Sequence, residues 1–249
     1  MIFFPPLRLR RATIQLRELT IAESIGLASI APEKEQAAIA YLLAKTIETI
    51  KGTIEDVDLL TVQERLYITT HYLACVAEDG PNFTVSGDAK YSDYFDGEND
   101  ITELSADLGE LEGDHWTMGH LLGGDAAAIE RVTGALENIK GRFHWLLGAM
   151  ACQLTRKDED KPKTYDAAFD DWLASKMKVL SAFNEGDFLA LVSLWQQGQD
   201  KLHHLFHLEL DESGVLVMPK GVGSTLPPAR FRVMSCVSAF AQGMAGWAL

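Results

Sequence analysis

Leu7-Arg8-Leu9-Arg10-Arg11-Ala12-Thr13-Ile14-Gln15-Leu16-Arg17-Glu18-Leu19 alternates apolar and polar side chains, and Thr20-Ile21-Ala22-Glu23 follows at once. Alternation with a period of two is the mark of a half-buried strand. The apolar face changes at Arg10-Arg11, which predicts a bulge or a two-strand hairpin there. Thr-x-x-Glu has the form of a capping box, in which the hydroxyl accepts from the third amide and the carboxylate reaches back to the cap amide. The chain therefore turns from strand to helix at residue 20, and a short helix is expected to about Ile30.

Working outward, Pro32 suits the first turn of a second helix. That helix should run through Ala37, Ile39, Leu42, Leu43, Ile47 and Ile50 to a stop at Gly52. Asp56 to Leu60 connects to a second capping box, Thr61-Val62-Gln63-Glu64, opening a helix through Leu66, Tyr67 and Leu73 to about Val76. Further helices are expected over 125–138, 142–156, 165–183, 188–207 and 229–245, with a short hairpin near Asp211 to Gly214. The predicted fold class is mainly α (α+β): a helical bundle with a small N-terminal β element and an acidic inserted loop or subdomain. Its divisions are residues 1–77 (strand plus helices), 78–124 (acidic insert), 125–210 (helices packing on the N-terminal part) and 211–249 (hairpin, loop and apolar helix).

Charge is unevenly placed. Among 249 residues there are 36 acidic and 22 basic side chains, for a net charge of −14. Glu78 to Asp114 holds twelve acids against Lys90 alone, which is −11 of that total. Such a chain repels phosphate backbones, so no nucleic-acid partner is expected. The segment also contains Phe83, Tyr91, Tyr94 and Phe95, so it reads as an insert facing a basic partner or solvent. It does not match a calcium loop. Aligned on Gly97, the liganding positions would be Ser92, Tyr94 and Asp96. The start is too short and proline-rich for a signal-peptide core, and the uncharged tail from Val233 falls short of a membrane span, so no membrane role is expected. Cys75, Cys152 and Cys236 are scattered, as in a reducing compartment.

Three further constellations could carry chemistry. His203 and His207 sit four residues apart, as two metal ligands on one helical face would. The alternative is an amphipathic helix end where histidines suit the dipole. His115 and His120 are five apart and share no helical face. Leu122-Gly123-Gly124-Asp125 precedes a helix but lacks a phosphate-loop lysine. No nucleophile elbow is present, and no cysteine stands at a helix start beside a base. No cofactor is predicted. Phe143, Trp145, Trp172, Trp195, Phe231, Phe240 and Trp247 read as core, or as anchors for a partner.

The N-terminal pattern resembles the baseplate hub and tail assembly protein family of T-even-like contractile-tailed bacteriophages. The residues that carry it are Leu9 to Thr20 with the step Arg17-Glu18-Leu19-Thr20, then Glu23, the Ala38 to Ile50 helix, Asp56-Val57, and Leu60-Thr61 before Leu66, Tyr67 and Leu73. The match covers roughly residues 7 to 77, with 142 to 207 as a helical remainder. The resemblance implies a non-enzymatic virion protein of the tail baseplate, assembled in the host cytoplasm. Its partners would be other tail proteins, or copies of itself as a homo-oligomer. Partner contacts are expected at Leu9, Ile14, Leu16 and Arg17 on the strand and at Phe231, Phe240 and Trp247 near the C-terminus. Two alternatives stand beside it: a tail-assembly chaperone absent from the finished particle, and a metal-dependent enzyme using His203, His207 and a carboxylate of the acidic segment.

Overall fold

In the computed structural model the described residues are 2–101, 103–157, 159–221 and 223–247, the side chain of Trp247 excepted. Strands β1 (Leu7–Arg8) and β2 (Ala12–Leu16) form the hairpin foreseen at Arg10-Arg11, with Leu7 opposite Ile14. Thr20 and Glu23 close the capping box of α1 (Ile21–Ala28). The next helix, α2 (Glu35–Thr46), starts after the turn that contains Pro32 and stops well before Gly52. Ile47–Gly52 is instead a strand, β3, antiparallel to β2 with Ile50 opposite Ile14. The physical reason is local. Ile47, Thr49 and Ile50 are β-branched and lose side-chain freedom in a helix, and β2 offers an open edge to pair with. Gly52 sits at φ +154°, where an added Cβ would lie 2.2 Å from the Arg11 carbonyl oxygen.

Thr61 and Glu64 close the second capping box, on α3 (Val62–Val76). The acidic segment then folds as hairpins. β4 (Thr84–Ser86) pairs with β5 (Ala89–Lys90), and β6 (Ser105–Leu111) pairs with β7 (Asp114–Gly119). The second turn is Glu112-Gly113, with φ +54° and +88°. Two left-handed central residues match the right-handed twist of the flanking strands. Helices α4 (Gly123–Arg131) and α5 (Gly141–Gln153) follow, and the chain leaves α5 as β8 (Leu154–Arg156), the third strand beside β7. Then come α6 (Ala167–Ser181), α7 (Glu185–Lys201), the hairpin β9 (His207–Asp211) with β10 (Gly214–Met218), and α8 (Ala239–Trp247).

The helical-bundle expectation is therefore corrected. Helices make up 44% of the structure and strands 20%, in four small antiparallel sheets, an α+β fold. Strands are hidden where β structure directly continues a helix, for six residues after Thr46 and three after Gln153. Periodicity over so few residues cannot separate the two states. The four sequence segments also share one hydrophobic core, which runs from Phe4 and Ile14 through Leu42, Ile68, Met118, Met150 and Phe169 to Phe206 and Ala241. α1 packs on α8, α2 on α4, and β6 on α7, each across a predicted boundary. Among the described residues no helix is long and apolar enough to cross a membrane.

Ile14 is fully buried between Leu7 and Ile50 at the centre of the N-terminal sheet. Truncation there leaves a cavity that three strands cannot collapse into, so Ile14→Ala is expected to cost about 3 kcal/mol. Urea unfolding should show the midpoint falling with the slope unchanged.

Candidate functional site

Helix α7 ends at Lys201, so His203 and His207 do not share a helical face, and His207 belongs to β9. Their rings still lie 5.4 Å apart. His203 Nε2 is 3.7 Å from Asp96 Oδ2, a carboxylate of the acidic segment. These three side chains, with Tyr94, Met218, Pro219 and Lys220, line an open groove of about 360 Å³. Burial and the neighbouring His207 push the His203 imidazole below its ordinary value, although Asp96 acts the other way. His115, the first histidine of the other cluster, faces out beside Asp107 at 3.1 Å.

Behind the groove the chain turns inward. Leu205 takes φ +57°, a conformation that costs a branched side chain on the order of 1–3 kcal/mol. Backbone bonds hold it: Leu205 N donates to Asn99 O at 2.8 Å, and Asp96 N donates to Leu205 O at 2.8 Å. Asn99 Nδ2 also donates to the His203 carbonyl oxygen at 3.0 Å. Consecutive histidines thereby serve opposite sides. His203 lines the groove, and His204, 1% exposed, enters the interior.

There His204 meets the start of α3. Its Nε2 is 2.9 Å from Thr61 Oγ1, and its Nδ1 is 3.7 Å from Asp100 Oδ1. The His120 ring stands 5.1 Å away, with Nε2 donating to the Glu103 carbonyl oxygen at 2.8 Å. Glu64 Oε2 accepts from Thr61 N at 2.8 Å, while its Oε1 faces Arg11 Nε at 3.6 Å. Arg10 N donates to Asp100 Oδ2 at 2.7 Å. Five separate segments thus wall one polar chamber: the β1–β2 turn, the start of α3, the loop before β6, the residues after β7 and the residues after α7. Desolvation governs its electrostatics. It lowers His204 to about 3, with His120 and Arg11 adding to the effect, and it lowers His120 too. It raises Glu64 against the Thr61 amide bond and Arg11. Both imidazoles are therefore neutral near pH 7.

Thr61, His204 and Asp100 stand in the order hydroxyl, imidazole, carboxylate of an acyl-transfer relay. Thr61 is fully buried, however, and its hydroxyl accepts from Glu64 N at 3.0 Å as the cap of α3. The arrangement serves as a cap and not as a displayed nucleophile. Gly123, from the rejected phosphate-loop motif, also has a structural role. Its N–H donates to Leu60 O at 2.7 Å, and a Cβ there would lie 2.4 Å from Arg65 NH1, a guanidinium that burial lowers to about 10.

The expected contact residues are distributed differently. Leu9, Ile14, Leu16 and Phe231 are core residues, 7% exposed or less, so as they stand they present nothing to a partner. Arg17 is partly exposed but engaged, with two bonds to Glu23 at 2.7 and 2.9 Å. Phe240 is 65% exposed, and the Trp247 side chain lies outside the described residues. Val179, Phe183 and Leu189, on or beside α6 and α7, are exposed, although helical spacing assigns such residues to a core by default.

No protein-family model, no curated protein and no solved structure matches the chain.

The two capping boxes allow a paired test. Thr20 is exposed, so Thr20→Ala should cost about 1 kcal/mol. Thr61→Ala removes the same cap and also strands His204 Nε2 in a dry interior, raising the expected loss to about 3 kcal/mol. Equal losses in denaturant titrations of the two variants would show that the His204 contact contributes nothing.

Proposed function

We propose that the chain is a non-enzymatic structural or assembly component of a bacteriophage tail baseplate, working through contacts with other tail proteins. The resemblance of residues 7–77 to the contractile-tail baseplate family suggests the setting. The observation that carries the contact mode is the presentation of the acidic segment. Nine of its twelve carboxylate residues are exposed, and among them Asp79, Asp107 and Asp114 stand beside Lys90, His115 and Arg156. The segment is anchored from within. Phe83 stacks on Tyr91, Tyr91 on Phe95 and Phe95 on Tyr67, while Tyr94 and Phe206 pack against Phe231. An ordered, single-sign surface steers a basic partner into one orientation and speeds encounter at low salt. Phe143, Leu189 and Phe240, each more than 40% exposed, supply apolar area of the kind that anchors such contacts.

Quantitative mass spectrometry of purified virions tests the reading. A fixed copy number relative to other baseplate proteins is the expected result. Absence from particles whose tails nonetheless require the gene would make the chain an assembly chaperone, and normal tails without the gene would sink both. Reversing charge at Glu110 and Glu112 together should slow association with the basic partner about tenfold at low salt and much less at high salt.

A further inference from the structure

Four polar atoms of the chamber, Glu64 Oε1, Asp100 Oδ1, His120 Nδ1 and His204 Nδ1, are buried with no hydrogen-bond partner. Native interiors rarely leave such atoms unmet, and a group of them marks an occupant. All four belong to side chains that bind metals. In each, the other polar atom is already fixed: Glu64 Oε2 by Thr61 N, Asp100 Oδ2 by Arg10 N, His120 Nε2 by the Glu103 carbonyl and His204 Nε2 by Thr61 Oγ1. A carbonyl only accepts, so His120 carries its proton on Nε2 and keeps a lone pair on Nδ1. Anchoring of the remote nitrogen with the near one bare is how metal-ligating histidines are held.

We propose that the chamber binds one divalent transition-metal ion of the zinc class, ligated by His120 Nδ1, His204 Nδ1 and Asp100 Oδ1, with a metal-bound water donating to Glu64 Oε1. One ion and one water then satisfy all four orphaned atoms. His204 Nε2 carries the proton in this state and donates to Thr61 Oγ1. Two imidazoles and a carboxylate suit zinc or cobalt better than calcium, which takes oxygen ligands throughout. As they stand, no three His, Cys, Asp or Glu side chains among the described residues are placed to hold a metal ion, so binding must draw the ligands together. For the pair His204 and Asp100 the adjustment is small. Two ligands on a tetrahedral zinc at about 2.1 Å lie about 3.4 Å apart, against 3.7 Å between His204 Nδ1 and Asp100 Oδ1. Arg11 already faces Glu64, which leaves Asp100 as the charged ligand and Glu64 as an acceptor for the water. The site joins the loop before β6, the residues after β7 and those after α7, so its role is to lock three loops onto the start of α3.

The test uses the full-length protein, stripped with a chelator and titrated with Co²⁺ and with Zn²⁺. The expected result is one equivalent bound, with the visible absorption of tetrahedral Co²⁺ and a rise in Tm with Zn²⁺. Asp100→Asn and His120→Gln, each checked for retained fold by circular dichroism, should weaken binding at least tenfold, while His203→Ala and His207→Ala leave it unchanged. The wild-type titration decides even where a variant fails to fold. Folded protein that takes up neither ion overturns the proposal and leaves the chamber to water alone. Binding that survives the chamber variants and disappears in the His203 and His207 variants overturns it in favour of the groove.

Discussion

The first turn of α3 is where the structure is tied together. A helix start leaves amides without partners, and here that start is buried, so the amides must be satisfied from within the protein. Thr61 and Glu64 do this reciprocally, at 3.0 and 2.8 Å. The same two side chains then recruit distant parts of the chain. Thr61 holds His204, Glu64 faces Arg11, Val62 N donates to Leu121 O, and Gly123 N donates to Leu60 O. A cap on an exposed helix needs only local partners, as at Thr20. Burying one makes its polar atoms a demand on the rest of the fold, and the chamber is the response to that demand.

Both capping boxes were legible in the sequence because their signal is contained in four residues with a mechanism attached. The hairpin at Arg10-Arg11 and the one at Asp211 to Gly214 were legible for the same reason, since alternation and turn residues are local. The short strands were not. Ile47–Gly52 and Leu154–Arg156 extend helices without a break, and only their partners across the sheet, β2 and β7, decide their state. The site lay beyond sequence reasoning for a stronger version of that reason. Spacing along a helix paired His203 with His207 and set His120 beside His115, whereas folding brings His120 to His204 across more than eighty residues. Asp100 was one acid among twelve. What distinguishes it is burial, together with the Arg10 amide that fixes one of its oxygens, and neither is written in composition.

The acidic segment shows how a single stretch can serve two environments. Its aromatic residues point inward to a cluster closed by Phe206 and Phe231, which arrive from far along the chain. Most of its carboxylates stay in water, where ionised groups cost little, while Asp96 and Asp100 turn toward His203 and His204. Strand pairing in β6 and β7 fixes the spacing of the outer charges. Repulsion among those charges works against the fold, and Glu112 beside Asp187 is raised by that proximity. The aromatic cluster offsets the repulsion, because rings that stack and bury their area hold the backbone whatever the charges above it favour.

This division bears on which functional readings the molecule can support. The Thr61, His204 and Asp100 array is sealed and spent on capping, while the groove beside it presents two imidazoles and a single carboxylate with room around them. The bonds that satisfy the amides of the first turn of α3 hold that array in place. What the fold displays to solvent at no cost to its core is charge on rigid hairpins and apolar side chains at helix ends. The best-organised polar groups lie inside, where they tie the start of α3 to the loops that flank the acidic hairpins and so hold the charged surface in shape.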